Sequence, residues 1–100
     1  KPELCYQEIN SNEVEHFRSE LKKFMSYESV YGSASLISEN SNAVHLLAKQ
    51  FEETFPNYAI NPFLCEVYNL IQTAVLILSQ RTIYVAINSN SIINQPHTIL

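Results

Sequence analysis

The stretch TAVLILSQRTIYVAIN, residues 73–88, decides the fold, because sixteen residues with a single charge, Arg81, need a shielded environment. That environment is a membrane, the core of a domain, or a surface that another chain covers. A membrane span needs about twenty predominantly apolar residues. The run free of strongly polar side chains covers only residues 74–78, and Glu66 and Asn69 interrupt the turns before it. We therefore expect a core helix and no membrane span.

The helix that contains the first half of this stretch has a clear start at Asn61 and Pro62. Asn caps helices well, and the fixed φ of Pro suits the first helical position, where its missing N–H donor is harmless. Apolar residues then cover well over half of the circumference up to about Gln80, where we predict that the helix ends. A helix that is apolar on so many sides is expected to be covered on more than one of them.

The second half of the stretch, TIYVAIN at residues 82–88, is the strongest strand candidate in the chain, because β-branched and aromatic residues favour strands. SIINQPHTIL at residues 91–100 predicts a further strand, which Pro96 restricts to a sheet edge or a tail. ELCYQEI at residues 3–9 predicts a short strand, and SVYGSASLI at residues 29–37 predicts a strand or an extended loop.

Two further helices follow from apolar residues that recur at three- and four-residue spacing. The first begins at a cap formed by Asn10 or Ser11 and continues through FRSELKKFMSY, with glutamates in its first turn. The second runs from a cap near residues 41–42 to about residue 55, because Pro56 cannot continue a helix.

Together these elements predict an α+β fold with three helices and a small antiparallel or mixed sheet of two to four strands. The alternative is an all-α bundle in which TIYVAIN is an extended tail. One hundred residues fit a single domain, residues 1–100, and 46% apolar residues are enough for one core. The chain starts at Lys1 without Met, and we expect it to be a domain cut from a longer protein.

Charge is distributed very unevenly along the chain. Residues 1–53 hold fourteen charged side chains, and residues 54–100 hold two, Glu66 and Arg81. A domain of this size buries about 60–70% of its surface, so a contiguous half cannot all be interior in a monomer. We expect a protein partner or a second copy to cover part of the charge-poor half. The alternative is that its many neutral Asn, Ser, Thr and Gln side chains interact with water instead.

Candidate contacts in this half are tyrosines, which are apolar at one end and hydrogen-bond at the other, and isoleucines. The predicted interface residues are Tyr68, Tyr84, Ile87, Ile92 and Ile93.

Composition excludes several other roles. A net charge of −4 with six basic residues argues against a nucleic-acid surface, which needs clustered cations. The three histidines and two cysteines lack metal-ligand spacing, and adjacent carboxylates such as Glu52 and Glu53 point in different directions on a helix. We therefore expect no metal, no cofactor and no enzymatic activity.

The leading functional hypothesis is a protein-interaction or scaffold domain of the cytoplasm or nucleus that oligomerises or binds a partner through its charge-poor C-terminal half. A second hypothesis is a small secreted protein that binds a ligand or receptor and has a bridge between Cys5 and Cys65, which is the one disulfide that two cysteines allow. A third is a small cysteine-dependent enzyme that uses Cys65 and His45.

Overall fold

A computed structural model describes the backbone of residues 10–98 and the side chains of residues 10–88. Four α-helices and one 3₁₀ turn follow one another along this part of the chain, which contains no strand. In chain order they are α1 (Ser11–Phe24), α2 (Tyr27–Tyr31), α3 (Ala34–Thr54), the 3₁₀ turn (Tyr58–Ile60) and α4 (Pro62–Thr98).

Each α-helix begins at a polar residue whose side chain accepts a backbone hydrogen bond. Asn10 accepts from the N–H of Asn12 at the start of α1, and Ser26 and Ser33 do the same for α2 and α3. The Asn61 side chain accepts from two backbone N–H groups in the first turn of α4, at 3.0 and 3.1 Å. These bonds satisfy donors that a helix start otherwise leaves unpaired.

The core lies mainly between α3 and α4, and α1 and α2 close its remaining side. Phe51 on α3 is fully buried at its centre, with the rings of Phe17 and Phe55 at centroid distances of 5.1 and 4.9 Å. The buried apolar side chains are Val14, Phe17, Val30, Ile37, Val44, Leu47, Ala48, Phe51, Phe55, Leu64, Val67, Ile71, Ala74 and Leu78.

The α+β prediction is wrong, because the described part of the chain is entirely helical apart from its short connections. The all-α alternative has the right helical content, but its extended TIYVAIN tail is also wrong, since residues 82–88 continue α4. Helix propagation from the buried turns before them costs little, whereas a strand needs neighbouring strands. The Thr82 hydroxyl, which donates to the carbonyl of Leu78 at 2.8 Å, shows how a β-branched residue is accommodated in the helix.

The other strand predictions have different outcomes. SVYGSASLI, residues 29–37, forms the end of α2 and the start of α3, joined through Gly32 and Ser33. A side chain at Gly32 would collide with the backbone carbonyl of Glu28, so glycine permits this tight connection. Residues 91–98 belong to α4, and the ELCYQEI segment lies outside the described residues.

The predicted helix starts at Asn10 and at Asn61–Pro62 are confirmed. The second predicted helix, α3, begins about two turns earlier than expected, because Ser33 and not Ser41 is its cap. The predicted end of the last helix at Gln80 is wrong, since α4 continues to Thr98.

The molecule is elongated, because α4 is longer than the bundle it packs on. Its radius of gyration is 17.7 Å, whereas a compact domain of 100 residues has a value of about 13 Å. The principal extents are 64 × 22 × 17 Å. Among the described side chains, which end at residue 88, Leu78 is the last buried one along α4, so residues 79–88 lead out of the bundle.

Candidate interaction surface

The two sides of α4 differ in what they contact. One side packs into the core at three- and four-residue spacing, through Leu64, Val67, Ile71, Ala74 and Leu78. The other side is open to solvent although it carries large apolar side chains. We call this side the exposed face of α4; its apolar residues are Leu70, Leu76, Ile83, Tyr84 and Ile87.

The exposed face is most open where α4 leaves the bundle. Ile83 is 59% exposed and Ile87 is 58% exposed, and no side chain from residues 79–88 is buried. At 3.6 residues per turn, Ile83, Tyr84 and Ile87 lie on one side of the helix. An apolar strip on a projecting helix is a common feature of surfaces that bind another chain.

Arg81 lies at the edge of this face and connects α4 to α2. Its guanidinium carbon lies 5.1 Å from the ring centroid of Tyr31 and 4.8 Å from that of Tyr84. Its Nε donates a hydrogen bond to the carbonyl of Val30 at 3.3 Å. These contacts hold the planar group between two aromatic rings, an arrangement that favours a fixed arginine geometry.

The predicted interface residue Tyr68 is partly buried and packs against the core. Its ring lies 4.3 Å from that of Tyr58 and 5.6 Å from that of Phe51, measured between centroids. Its hydroxyl donates to the carboxylate of Glu52 on α3. This hydrogen bond, aided by partial burial, raises the pKa of Tyr68 well above its ordinary value.

The remaining predicted interface residues lie farther along α4. Tyr84 and Ile87 are both on the exposed face, as described above. Ile92 and Ile93 are in the helical backbone of α4, and their side chains lie outside the described part.

The structure does not bring Cys65 and His45 together. The Cys65 thiol donates to the backbone carbonyls of Tyr58 and Ala59, at 3.3 and 3.5 Å. His45 shares a 3.1 Å hydrogen bond between its Nε2 and the hydroxyl of Ser79, which is about four turns along α4 from Cys65. Cys5 lies outside the described residues, and within them no group of His, Cys, Asp and Glu side chains is arranged to hold a metal ion.

A second surface feature is a shallow cleft of about 410 Å³ between α1 and α3. His16 and Glu53 line it with polar groups, and Phe17 lines it with an apolar ring. The cleft is open to solvent, so a bound small molecule would remain largely hydrated there.

By length and composition alone, residues Pro62–Asn88 also form a helix that could cross a membrane. The mean hydropathy of its most apolar window is 1.5, and 17% of that window is buried. One such helix is weak evidence for a membrane span, because the core helix of a water-soluble protein, which is mostly buried, passes the same test.

Leu70, Leu76, Ile83 and the contacts of Arg81 were not predicted from the sequence as parts of this surface. Read as a strand, TIYVAIN places residues 83 and 84 on opposite faces, because side chains alternate along a strand. If the helix instead continues through residues 79–88, Leu76, Ile83 and Ile87 lie along one side of it. Helical periodicity across the whole of residues 62–88 was therefore the signal that could have found them.

No protein-family model, no curated protein and no solved structure matches this chain. Its function is therefore inferred from the geometry of the exposed face of α4.

Proposed function

We propose that this protein is an interaction domain that associates with another protein chain through the exposed face of α4, in its charge-poor C-terminal half. The observation that carries the proposal is the exposure of Ile83, Tyr84 and Ile87 on one side of a helix that extends beyond the core. Such a helix offers an apolar strip to a groove or to another helix.

The free energy of association would come from covering this strip. Complete burial of an isoleucine side chain contributes about 1.5–3 kcal/mol, and Ile83 and Ile87 each retain more than half of their exposed area. Tyr84 adds a ring that is apolar on its faces and can hydrogen-bond through its hydroxyl. Tyrosine and arginine are enriched among the residues that dominate binding energy at interfaces, and Arg81 lies against Tyr84.

A protein partner fits α4 better than lipid does, because one side of the helix is already engaged. Ile71 and Leu78 are fully buried against the bundle, together with Phe51 of α3. Inserting α4 into a bilayer would separate these residues and place the charges of Glu66 and Arg81 at membrane depth, which is costly.

The proposal is tested by measuring association of the wild-type chain and of an Ile83→Ser/Ile87→Ser variant. We expect sedimentation equilibrium, from micromolar to millimolar concentration, to show a species larger than the monomer for the wild type and not for the double Ser variant. Leu46→Ser is the matched control, because Leu46 is 55% exposed on α3 and is distant from this face in the sequence. The control is expected to associate like the wild type.

A purified chain that stays monomeric throughout, and that captures the same proteins with and without the Ser substitutions, would contradict the proposal. Co-sedimentation of the wild type with phosphatidylcholine vesicles, with α4 protected from protease, would instead indicate a membrane role.

A further inference from the structure

Building on the proposed function, we propose that the chain covering α4 is a second copy of this protein, whose own α4 runs antiparallel across the exposed face. Glu66 and Arg81 are the two charged residues after residue 53. Both lie on α4, about four turns apart. Among the residues that the structure describes, neither of them forms an ion pair.

Glu66 and Arg81 lie on the same flank of the exposed face. At 3.6 residues per turn, the two residues lie about 60° apart around α4, on the flank where Arg81 contacts Tyr31. In an antiparallel helix pair with twofold symmetry, each flank faces the same flank of the other helix. Glu66 of one copy then faces Arg81 of the other, and the contact occurs twice. A parallel pair would place this flank against the opposite one, which carries the uncharged Gln72 and Ser79.

Placing Glu66 opposite Arg81 fixes the register, and the register matches apolar residues at both ends of the contact. The twofold axis then passes near Thr73. Ile87 at the projecting end then lies beside the start of the other copy's α4, close to the 3₁₀ turn that contains Ile60, which is 68% exposed in the isolated chain. Tyr84 meets Phe63, which is 40% exposed and has the guanidinium of Arg18 over its ring at 5.3 Å. Apolar residues that the monomer leaves in water are thus covered by apolar residues of the second copy.

The contacts of Arg81 within the chain prepare it for this role. The rings of Tyr31 and Tyr84 hold the guanidinium plane, and the carbonyl of Val30 uses the Nε–H. The two terminal nitrogens have no carboxylate partner among the described residues, so they remain available to one from outside. A guanidinium that is already oriented loses less conformational freedom when it binds a carboxylate.

Charge reversal tests the antiparallel arrangement. Glu66→Arg and Arg81→Glu each place like charges together at both ends of the dimer. We expect each variant to weaken dimerisation by about tenfold or more, because two attractive contacts become repulsive. Mixing the two variants in equal amounts should restore dimerisation to within about threefold of the wild type, since each chain then supplies the charge that the other needs.

Two controls separate this effect from damage to the fold. Arg81→Gln removes the charge and the stacking without adding repulsion, and it should weaken dimerisation less than Arg81→Glu. Circular dichroism and thermal unfolding of each variant show whether the bundle is intact.

Cysteine cross-linking gives a readout that does not depend on charge. In a chain with Cys5 and Cys65 replaced by Ser, Thr73→Cys lies near the twofold axis and should form a disulfide with its counterpart under mild oxidation. Gln80→Cys lies about two turns from the axis and should not. Parallel helices would place both cysteines next to their counterparts and would cross-link both variants.

The outcomes distinguish this inference from the proposed function. Dimers that depend on Ile83 and Ile87, but do not respond to charge reversal or cross-link at both cysteine positions, would overturn the antiparallel arrangement and leave the interaction role in place. A wild-type chain that remains monomeric but binds a different protein through the same residues would overturn the second copy as the partner. A monomer with no partner would overturn both.

Discussion

Tyr68 shows how one side chain can serve packing and polar contact within the same bundle. Its ring extends the aromatic cluster around Phe51, and its hydroxyl joins α4 to Glu52 on α3. Tyr68 was predicted to be an interface residue because its ring is apolar and its hydroxyl is polar. The same properties suit a partly buried position, where the ring packs against the core and the hydroxyl has a partner at the bundle surface.

The pKa of Tyr68 gives the stability of the fold a dependence on alkaline pH. The pKa is raised in the folded protein by the hydrogen bond to Glu52, so the unfolded chain loses this proton first as the pH rises. The contribution of the bond is fully present below about pH 10 and is lost as the pH increases above that value. We expect urea unfolding to show a fall in stability above pH 10.

A Tyr68→Phe variant should show less of this fall and should be about 1 kcal/mol less stable at neutral pH, where the hydrogen bond is lost. Absorbance titration of the tyrosines provides a second measurement, because the variant should lack the component with the highest pKa. An unchanged titration and an unchanged alkaline stability profile would show that the bond to Glu52 does not form in solution.

Local signals predicted the starts of α1 and α4 and the end of α3 before Pro56, but not the start of α3 or the end of α4. Asn10 and Asn61 were identified as caps because a side-chain oxygen beside unpaired N–H groups is a local requirement. The end of α4 was missed because β-propensity describes how residues 82–88 fit a pleated surface, and residues 10–98 contain no strand that could pair with them. Continuation of an existing helix was favoured instead.

The candidate surface was predicted only in part for the same reason. Tyr84 and Ile87 were chosen for their side-chain chemistry, which does not depend on the secondary structure. Ile83 was missed because its position beside Tyr84 and Ile87 appears only once the backbone is helical. The pairing of Arg81 with Tyr31 joins residues fifty positions apart and depends on the packing of α2 against α4.

The part of α4 beyond Leu78 should contribute to the helical content of the protein but not to the stability of the bundle. Ala86→Pro removes a backbone hydrogen bond and clashes with the preceding turn, at a local cost of about 3 kcal/mol or more. We expect circular dichroism at low concentration to show fewer helical residues, while the midpoint of thermal unfolding remains unchanged, because no side chain described after Leu78 is buried. Ala86→Ser retains the N–H donor and should preserve the helical signal. A large fall in the midpoint for the proline variant would show that residues beyond the core support the bundle.

At the scale of the whole molecule, Phe51 connects nearly every element. Its ring lies within 6.1 Å of the rings of Phe17 on α1, Phe55 after α3, Tyr58 in the 3₁₀ turn and Tyr68 on α4, measured between centroids. Phe51 is completely buried, so its packing contributes to all of these contacts at once.

Phe51→Ala should therefore cost about 3–5 kcal/mol of unfolding free energy, since it removes a large ring and leaves a cavity that four elements surround. A small domain has about 5–15 kcal/mol in total, so the variant is expected to be partly unfolded at moderate urea concentration. Leu46→Ala, at an exposed site on the same helix, should change the unfolding midpoint little. Similar losses for both variants would contradict the assigned position of the core.

The continuity of α4 from the core to its tip means that residue count sets the direction in which the tip presents its side chains. One residue inserted between Leu78 and Ile83 would rotate everything beyond it by about 100° and advance it by about 1.5 Å. Two inserted residues would turn the tip nearly backwards, and four would return it to within about 40° of its original bearing. The length of α4 and the orientation of its tip therefore cannot be changed independently.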